Sequence, residues 1–306
     1  MRPYRDEEDY WRIRAFLREV FLLNGRREMC WQAARLDYWR WHVVLNCEAL
    51  PAIEPYIFLW ETPGGELAAV LNPEGLGEVF LQVHPAQTTP ALIEDMLDVA
   101  ETHLACADAE GRRTIQVWAH ESDRERQAAL ARRGYTRGDW PEHQHRRLLD
   151  GSPLPDAPIA PGYRVRPLGD ADELPSRSWA SWRAFHPDEP DGAYQGWEWY
   201  LNIRRCPMYR RDLDIVAEAP DGTIAGFCTV WYDDVTRAGY FEPVGIMREH
   251  QRRGLGRAVM VEALRRLERL GGTLATVGGF SAAANALYTS VMGPDCARLE
   301  RWVKSS

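Results

Sequence analysis

Residues 240–260 read Tyr-Phe-Glu-Pro-Val-Gly-Ile-Met-Arg-Glu-His-Gln-Arg-Arg-Gly-Leu-Gly-Arg-Ala-Val-Met. A β-rich run ends near Ile246, a short polar turn follows, and Gly254 and Gly256 open an amphipathic helix. Such a strand–loop–helix junction is an anion site, because the first turn of a helix leaves about four amides unpaired and carries the positive end of the dipole. Glycines let a phosphate approach the backbone closely, and Arg252, Arg253 and Arg257 add charge. Two phosphate-binding patterns are excluded. A P-loop needs GxxxxGK[ST], but the one lysine of the chain is Lys304. A Rossmann fingerprint needs a third glycine, and Gly254-Leu-Gly256-Arg-Ala-Val259 lacks it. What remains, Gln251-Arg-Arg-Gly254-Leu-Gly256, fits Q/R-x-x-G-x-G/A.

The elements around this segment come in two similar sets. Between Asp150 and Gly162, Pro153, Pro155, Pro158 and Pro161 fall within nine positions, which neither a helix nor a central strand accommodates. This stretch, 150–162, reads as a linker between domains at 1–149 and 163–306. In the first, apolar spacing gives helices over 6–23, 35–46, 90–106 and 122–133. Strands fall at 56–60, 66–71, 78–83 and 114–119, with a last one beyond Gly134. The second gives strands at 163–167, 213–219, 223–232, 240–246, 273–277 and 296–303. Its helices fall at 171–185, 192–205, 254–270 and 281–291. Two copies of one mixed α+β unit account for this order.

Composition bounds the function. The 306 residues are 45% hydrophobic and 11% aromatic, enough for two cores and too much for a disordered chain. The net charge of -8 argues against a general nucleic-acid binder. No apolar run approaches the ~18 residues of a membrane span, and the opening MRPYRDEEDYWRIR lacks a secretion signal's apolar stretch. Six scattered cysteines, without a CxxC or CxxH pair, suggest neither metal ligation nor a disulfide framework, and point to the cytoplasm. No Lys or Arg lies between Arg40 and Arg112, whereas 248–269 holds seven arginines, so a phosphate site belongs to the second half.

The 251–256 pattern on this order of elements resembles the acyl-CoA pyrophosphate loop of the GNAT acetyltransferase superfamily, over about 163–304. The resemblance implies two tandem GNAT-like domains, each a mostly antiparallel sheet flanked by helices with a splayed strand pair. It also implies acetyl-CoA as co-substrate, without a metal. Pantetheine would lie along Val244, Gly245 and Ile246, with the Ile246 amide polarising the acyl carbonyl. Pyrophosphate would be held by Gln251, Arg252, Arg253, Gly254, Leu255, Gly256 and Arg257, and Asn285 would join the cofactor contacts. Pro243 and Gly245 suit a strand whose ladder opens; the alternative is an edge strand or bulge unrelated to any ligand. Glu242 stands where several relatives keep a general base; it either deprotonates the amine, or merely orients the acceptor or pairs with an arginine. Tyr288 matches the tyrosine that protonates the departing thiolate, or else fills the core. Ser281 replaces the usual Asn seven residues before it, as an N-cap residue by type. Met292, with Gly293 next, stands where a glycine is usual.

Aligning Gln87 with Gln251 sets Pro90 and Leu92 opposite Gly254 and Gly256, and Thr88 and Thr89 opposite Arg252 and Arg253. The first copy therefore reads as a degenerate domain that does not bind CoA in the usual way. On the acceptor side, the turn Phe185-His186-Pro-Asp188-Glu189-Pro-Asp191 would suit a cationic amine, or is a solvated acidic turn. The expectation is an acyl-CoA-dependent N-acetyltransferase acting on a small-molecule or peptide amine in a ternary complex. The alternatives are a CoA-binding sensor or scaffold, another acyl donor, or an O-acceptor. Oligomeric state is not legible.

Overall fold

The computed structural model describes residues 1–107 and 110–305. The chain divides into two compact units, one of 1–144 with 297–306, the other of 145–296. In chain order the strands and helices are β1 (Arg2–Pro3), α1 (Glu7–Leu23), α2 (Ala33–Tyr38), β2 (Phe58–Glu61), β3 (Leu67–Gly75), β4 (Glu78–Val83), α3 (Pro90–His103), β5 (Cys106–Ala107), β6 (Arg113–His120), α4 (Arg124–Arg132), β7 (Thr136–Arg137) and β8 (Glu142–Leu148). They continue with β9 (Arg164–Pro167), α5 (Leu174–Phe185), α6 (Tyr200–Arg205), β10 (Asp214–Glu218), β11 (Ile224–Asp233), β12 (Ala238–Ile246), α7 (Leu255–Arg269), β13 (Leu274–Gly279), α8 (Ala282–Met292) and β14 (Cys296–Ser305). Among the described residues no helix is long and apolar enough to cross a membrane.

The first unit is built on the sheet β1-β2-β3-β4-β6-β14, antiparallel except for the parallel pair β4 and β6. Its core packs Leu81, Val83, Met96, Leu97, Val117, Ala119 and Leu130 between sheet and helices. The sequence reading has the last strand close the second half. Instead, Leu299–Ser305 pair antiparallel with β6, Trp302 packs on the first unit's core, and Lys304 Nζ lies 3.0 Å from Glu101. Alternation identifies a strand but not its neighbour, and these side chains choose the first unit.

The second unit carries the sheet β9-β10-β11-β12-β13, antiparallel except that β12 and β13 run parallel. One face, with Cys228, Val230 and Phe241, packs against Val259, Met260 and Leu264 of α7 and Val291 of α8. The helix expected over 192–205 forms only as α6, after a short 3-10 turn at Asp191–Ala193; Gly192 and Gly196, the latter at φ +99°, interrupt it. The prolyl stretch is more than a tether. Leu154, Ala157, Ile159 and Ala160, interleaved with its prolines, pack on this unit's core. The unit itself begins at His145.

Candidate functional site

The site starts from the ladder of β12. Met247 N donates to Ala225 O at 3.0 Å, and Gly226 faces Ile246, Phe227 faces Gly245 and Cys228 faces Val244. Antiparallel pairing alternates, so the Phe227–Gly245 pair exchanges hydrogen bonds with β11, while the backbone groups of Val244 and Ile246 point away from β11. On that other side β13 pairs only through Ala238–Tyr240 with Leu274–Thr276. Beyond Tyr240 the two strands part, and the amides of Val244 and Ile246 face the opening. Two residues, Glu242 and Pro243, oppose the single Thr229, a β-bulge that turns the strand as it leaves its neighbour. Gly245 has its own reason to be glycine: a Cβ there would stand 2.4 Å from the Phe227 ring.

At the end of β12 the chain makes a 3-10 turn, Arg248–His250, and the Gln251 side chain reaches back to Ile246 O at 3.2 Å. Arg252 adopts φ +60°, a costly conformation for a residue with a side chain, and Gly254 follows at φ +81° as the N-cap of α7. No side chain caps this helix. By contrast, Ser281 Oγ caps α8, accepting from Ala284 N at 3.1 Å, and Thr89 Oγ1 caps α3. The first-turn amides of α7 thus remain available to an anion. Leu255 is buried, so only its backbone is on offer, and a Cβ on Gly256 would meet Leu287 of α8 at 3.1 Å.

The arginines divide by partner. Arg252 has no ion-pair partner among the described residues, and Arg257 Nε is buried without a hydrogen-bond partner there. Arg253 donates to Glu249 O at 3.3 Å and lies 5.6 Å from the Tyr163 ring centroid. Arg248 is held by Asp188 at 2.6 Å. A buried guanidinium N–H without an acceptor is costly, and a phosphate oxygen is an acceptor of the right charge.

Tyr288 is buried on α8. Burial first, then the negative charge of Glu242, pushes its phenol well above the ordinary value. Among the described residues no group hydrogen-bonds the phenol oxygen. A Cβ on Gly279 would lie 2.3 Å from Asn285 Oδ1 and 3.0 Å from Tyr288 Cδ2, so α8 sits directly on the end of β13. Asn285 Oδ1 is also 3.0 Å from His145 Nε2, whose ring stands edge-on to Tyr288 at 5.8 Å. Sequence reasoning passed over His145, one histidine of a His-Gln-His run with no spacing signal. The helix ends at Met292, with Gly293 at φ +95° terminating it.

The acidic turn after α5 is partly neutralised: Asp188 pairs with Arg248, and Asp191 lies 3.8 Å from Arg183. Glu189 has no ion pair among the described residues. Trp179 and Trp182 form a half-buried cluster with Tyr194, at 5.2–5.5 Å between centroids. Deeper, Arg177 of α5 donates to Asp214 Oδ1 and Thr229 Oγ1 at 3.0 Å each and lies 3.9 Å over the Phe227 ring. Tyr200 and Tyr209 also donate to Asp214. This buried network, too, was not read from the sequence; its members are up to 52 positions apart.

The first unit has a splayed pair as well, since β4 and β6 pair only through Glu78–Phe80 with Gln116–Trp118. There the opening is closed. His84 N donates to Ala68 O, which makes Val83 the counterpart of Ile246 in register. The Val83 amide donates to Cys30 Sγ at 3.2 Å, and Trp31 N donates to Gln82 Oε1 at 2.8 Å. Trp31, Phe80, Trp118 and Arg126 leave a cavity of only about 10 Å³.

Comparison with known proteins bears on the fold. The profile of the Acetyltransferase (GNAT) family matches residues 172–293. A search of curated proteins gave no match. Among solved structures, the chain is similar to a GCN5-related N-acetyltransferase from Sphaerobacter thermophilus, at 21% identity and TM-score 0.67, over 99% of this chain and 94% of that one. It is also similar to a tandem GNAT protein from the clavulanic acid biosynthesis pathway, at 16% identity and TM-score 0.64, over 99% and 97%. A GNAT-family acetyltransferase from Colwellia psychrerythraea gives 12% identity and TM-score 0.57, over 100% and 99%. At these identities the shared property is the fold.

Proposed function

We propose that the second unit, in which the Acetyltransferase (GNAT) family profile matches 172–293 within a fold like that of tandem GNAT proteins, transfers acetyl from acetyl-CoA to the amine of a small molecule or peptide. The observation that carries this reading is the alignment of three features in one unit. These are the freed amides of Val244 and Ile246, the uncapped Gly254-led start of α7, and the buried Tyr288 phenol of α8 beside the end of β13.

In this reading the first-turn amides of α7, with Arg252 and Arg257, bind the diphosphate. Val244 and Ile246 hydrogen-bond the pantetheine arm, and the Ile246 amide stabilises the negative charge that develops on the acyl oxygen. Glu242, directly or through a water, takes a proton from the attacking amine as the new C–N bond forms. The C–S bond then breaks, Tyr288, kept protonated by its burial, gives its proton to the thiolate, and the phenolate regains a proton as Glu242 gives up the one it took. The products are the amide and CoA. Both reactants are bound together, so no acyl-enzyme forms.

The test is thiol release from acetyl-CoA against a panel of primary amines, beside calorimetric acetyl-CoA binding. Binding with turnover on some amines is expected. Binding without turnover on any amine would favour a CoA sensor, and no binding would end the reading.

A further inference from the structure

We propose that His145, outside the matched family segment, is a positioning residue for the thioester end of the site, acting through Asn285. The inference rests on the reading of 145–296 as the acetyl-CoA unit. His145 is buried, 2% exposed, at the first position of that unit. Its Nε2 lies 3.0 Å from Asn285 Oδ1. A carbonyl oxygen only accepts, so the ring proton sits on Nε2 and the imidazole is the donor.

Asn285 and Tyr288 are three residues apart and share one face of α8. The same imidazole therefore holds one by a hydrogen bond and meets the other edge-on at 5.8 Å. Gly279 sets the floor, because a Cβ there would strike both Asn285 and Tyr288. With its oxygen fixed by His145, Asn285 keeps its amino group as the free end. That group is a donor, complementary to the amide carbonyls of a pantetheine arm. The imidazole thus selects which end of Asn285 a ligand meets and fixes the seat of the Tyr288 ring. Sub-ångström placement of this kind is what a supporting shell provides.

The experiment is a double-mutant cycle in the full chain, with acetyl-CoA dissociation constants from calorimetry and melting temperatures recorded in parallel. His145→Leu removes the donor at similar size and Asn285→Ala removes its partner. Each is expected to weaken acetyl-CoA by about three- to tenfold, and the double variant no more than the weaker single one. His145→Gln, which restores an N–H donor, is expected to stay within about twofold of the parent. Additive losses, or a Gln variant as weak as the Leu one, would overturn the proposal. A lower melting temperature with unchanged affinity would assign His145 to packing and equally overturn it. If the parent protein binds no acetyl-CoA, the functional reading fails and takes this inference with it; binding with an additive cycle removes this inference alone.

Discussion

Gly254 faces the carbonyl of Pro158 so closely that a β-carbon on it would stand 2.2 Å from that oxygen. The amide of Ala160 donates to Arg253 O at 3.1 Å, and Tyr163 Oη lies 2.9 Å from His250 Nδ1. The prolyl segment therefore backs the loop that leads into α7. Glycine at 254 answers to the fold, through this contact and φ +81°, as well as to any ligand. A larger residue there would displace the segment and change affinity for two reasons at once.

Arg252 gives a cleaner test of the loop. It is exposed and has no ion-pair partner among the described residues, so Arg252→Ala should leave the melting temperature within about a degree. Its affinity for CoA should fall about three- to tenfold, and less so at high salt, because only screened charge is lost. Calorimetry at two ionic strengths checks this; equal affinity at both would detach Arg252 from the phosphate.

Tyr288→Phe keeps the buried ring and removes the hydroxyl. Turnover should fall by about a hundredfold or more with CoA affinity nearly unchanged. The pKa of this phenol is raised by burial and by Glu242, so the folded state holds its proton more tightly than the unfolded chain does. Its contribution to stability is therefore complete below the unfolded phenol value, about 10, and lost only as pH climbs beyond it. Accordingly kcat should show no alkaline decline from Tyr288 below about pH 10. A decline near 8 that disappears in the Phe variant would contradict the shift.

Arg177 tests what supports the site from beneath. Arg177→Leu leaves Asp214 buried with its cation gone, which should cost about 3–5 kcal/mol in denaturant unfolding. A loss under about 1 kcal/mol would mean that the tyrosines and Thr229 satisfy Asp214 by themselves.

The first unit predicts a stoichiometry. Its helix start is capped by Thr89 and opened by Pro90, and Cys30 occupies the amide of Val83. One acetyl-CoA should bind per chain. Two equivalent sites in a calorimetric titration would show that these contacts yield to ligand.

How much of this was legible in the sequence follows from how local each signal is. Gly254, Gly256 and their arginines lie within seven residues, and a helix start is a local event, so the loop could be read directly. The order of elements and the fold class could be read too, because periodicity is local. The pairing of β14 with β6 could not, since its alternation fits either sheet and the choice rests on Trp302 and Lys304. The role of 150–162 was hidden because prolines announce a linker while Leu154 and Ile159 do the packing. His145 and the Arg177–Asp214 network escaped for a related reason: a lone polar residue in an apolar run acquires meaning only from a partner far along the chain. The acidic turn read as a charge cluster, yet Arg248 already holds Asp188.

The most direct measurement is a crystal structure with acetyl-CoA bound. The account predicts the diphosphate on the amides at the start of α7 beside Arg252 and Arg257, with the thioester between Glu242 and Tyr288. A coenzyme lodged in the first unit, or bound away from this loop, would contradict it.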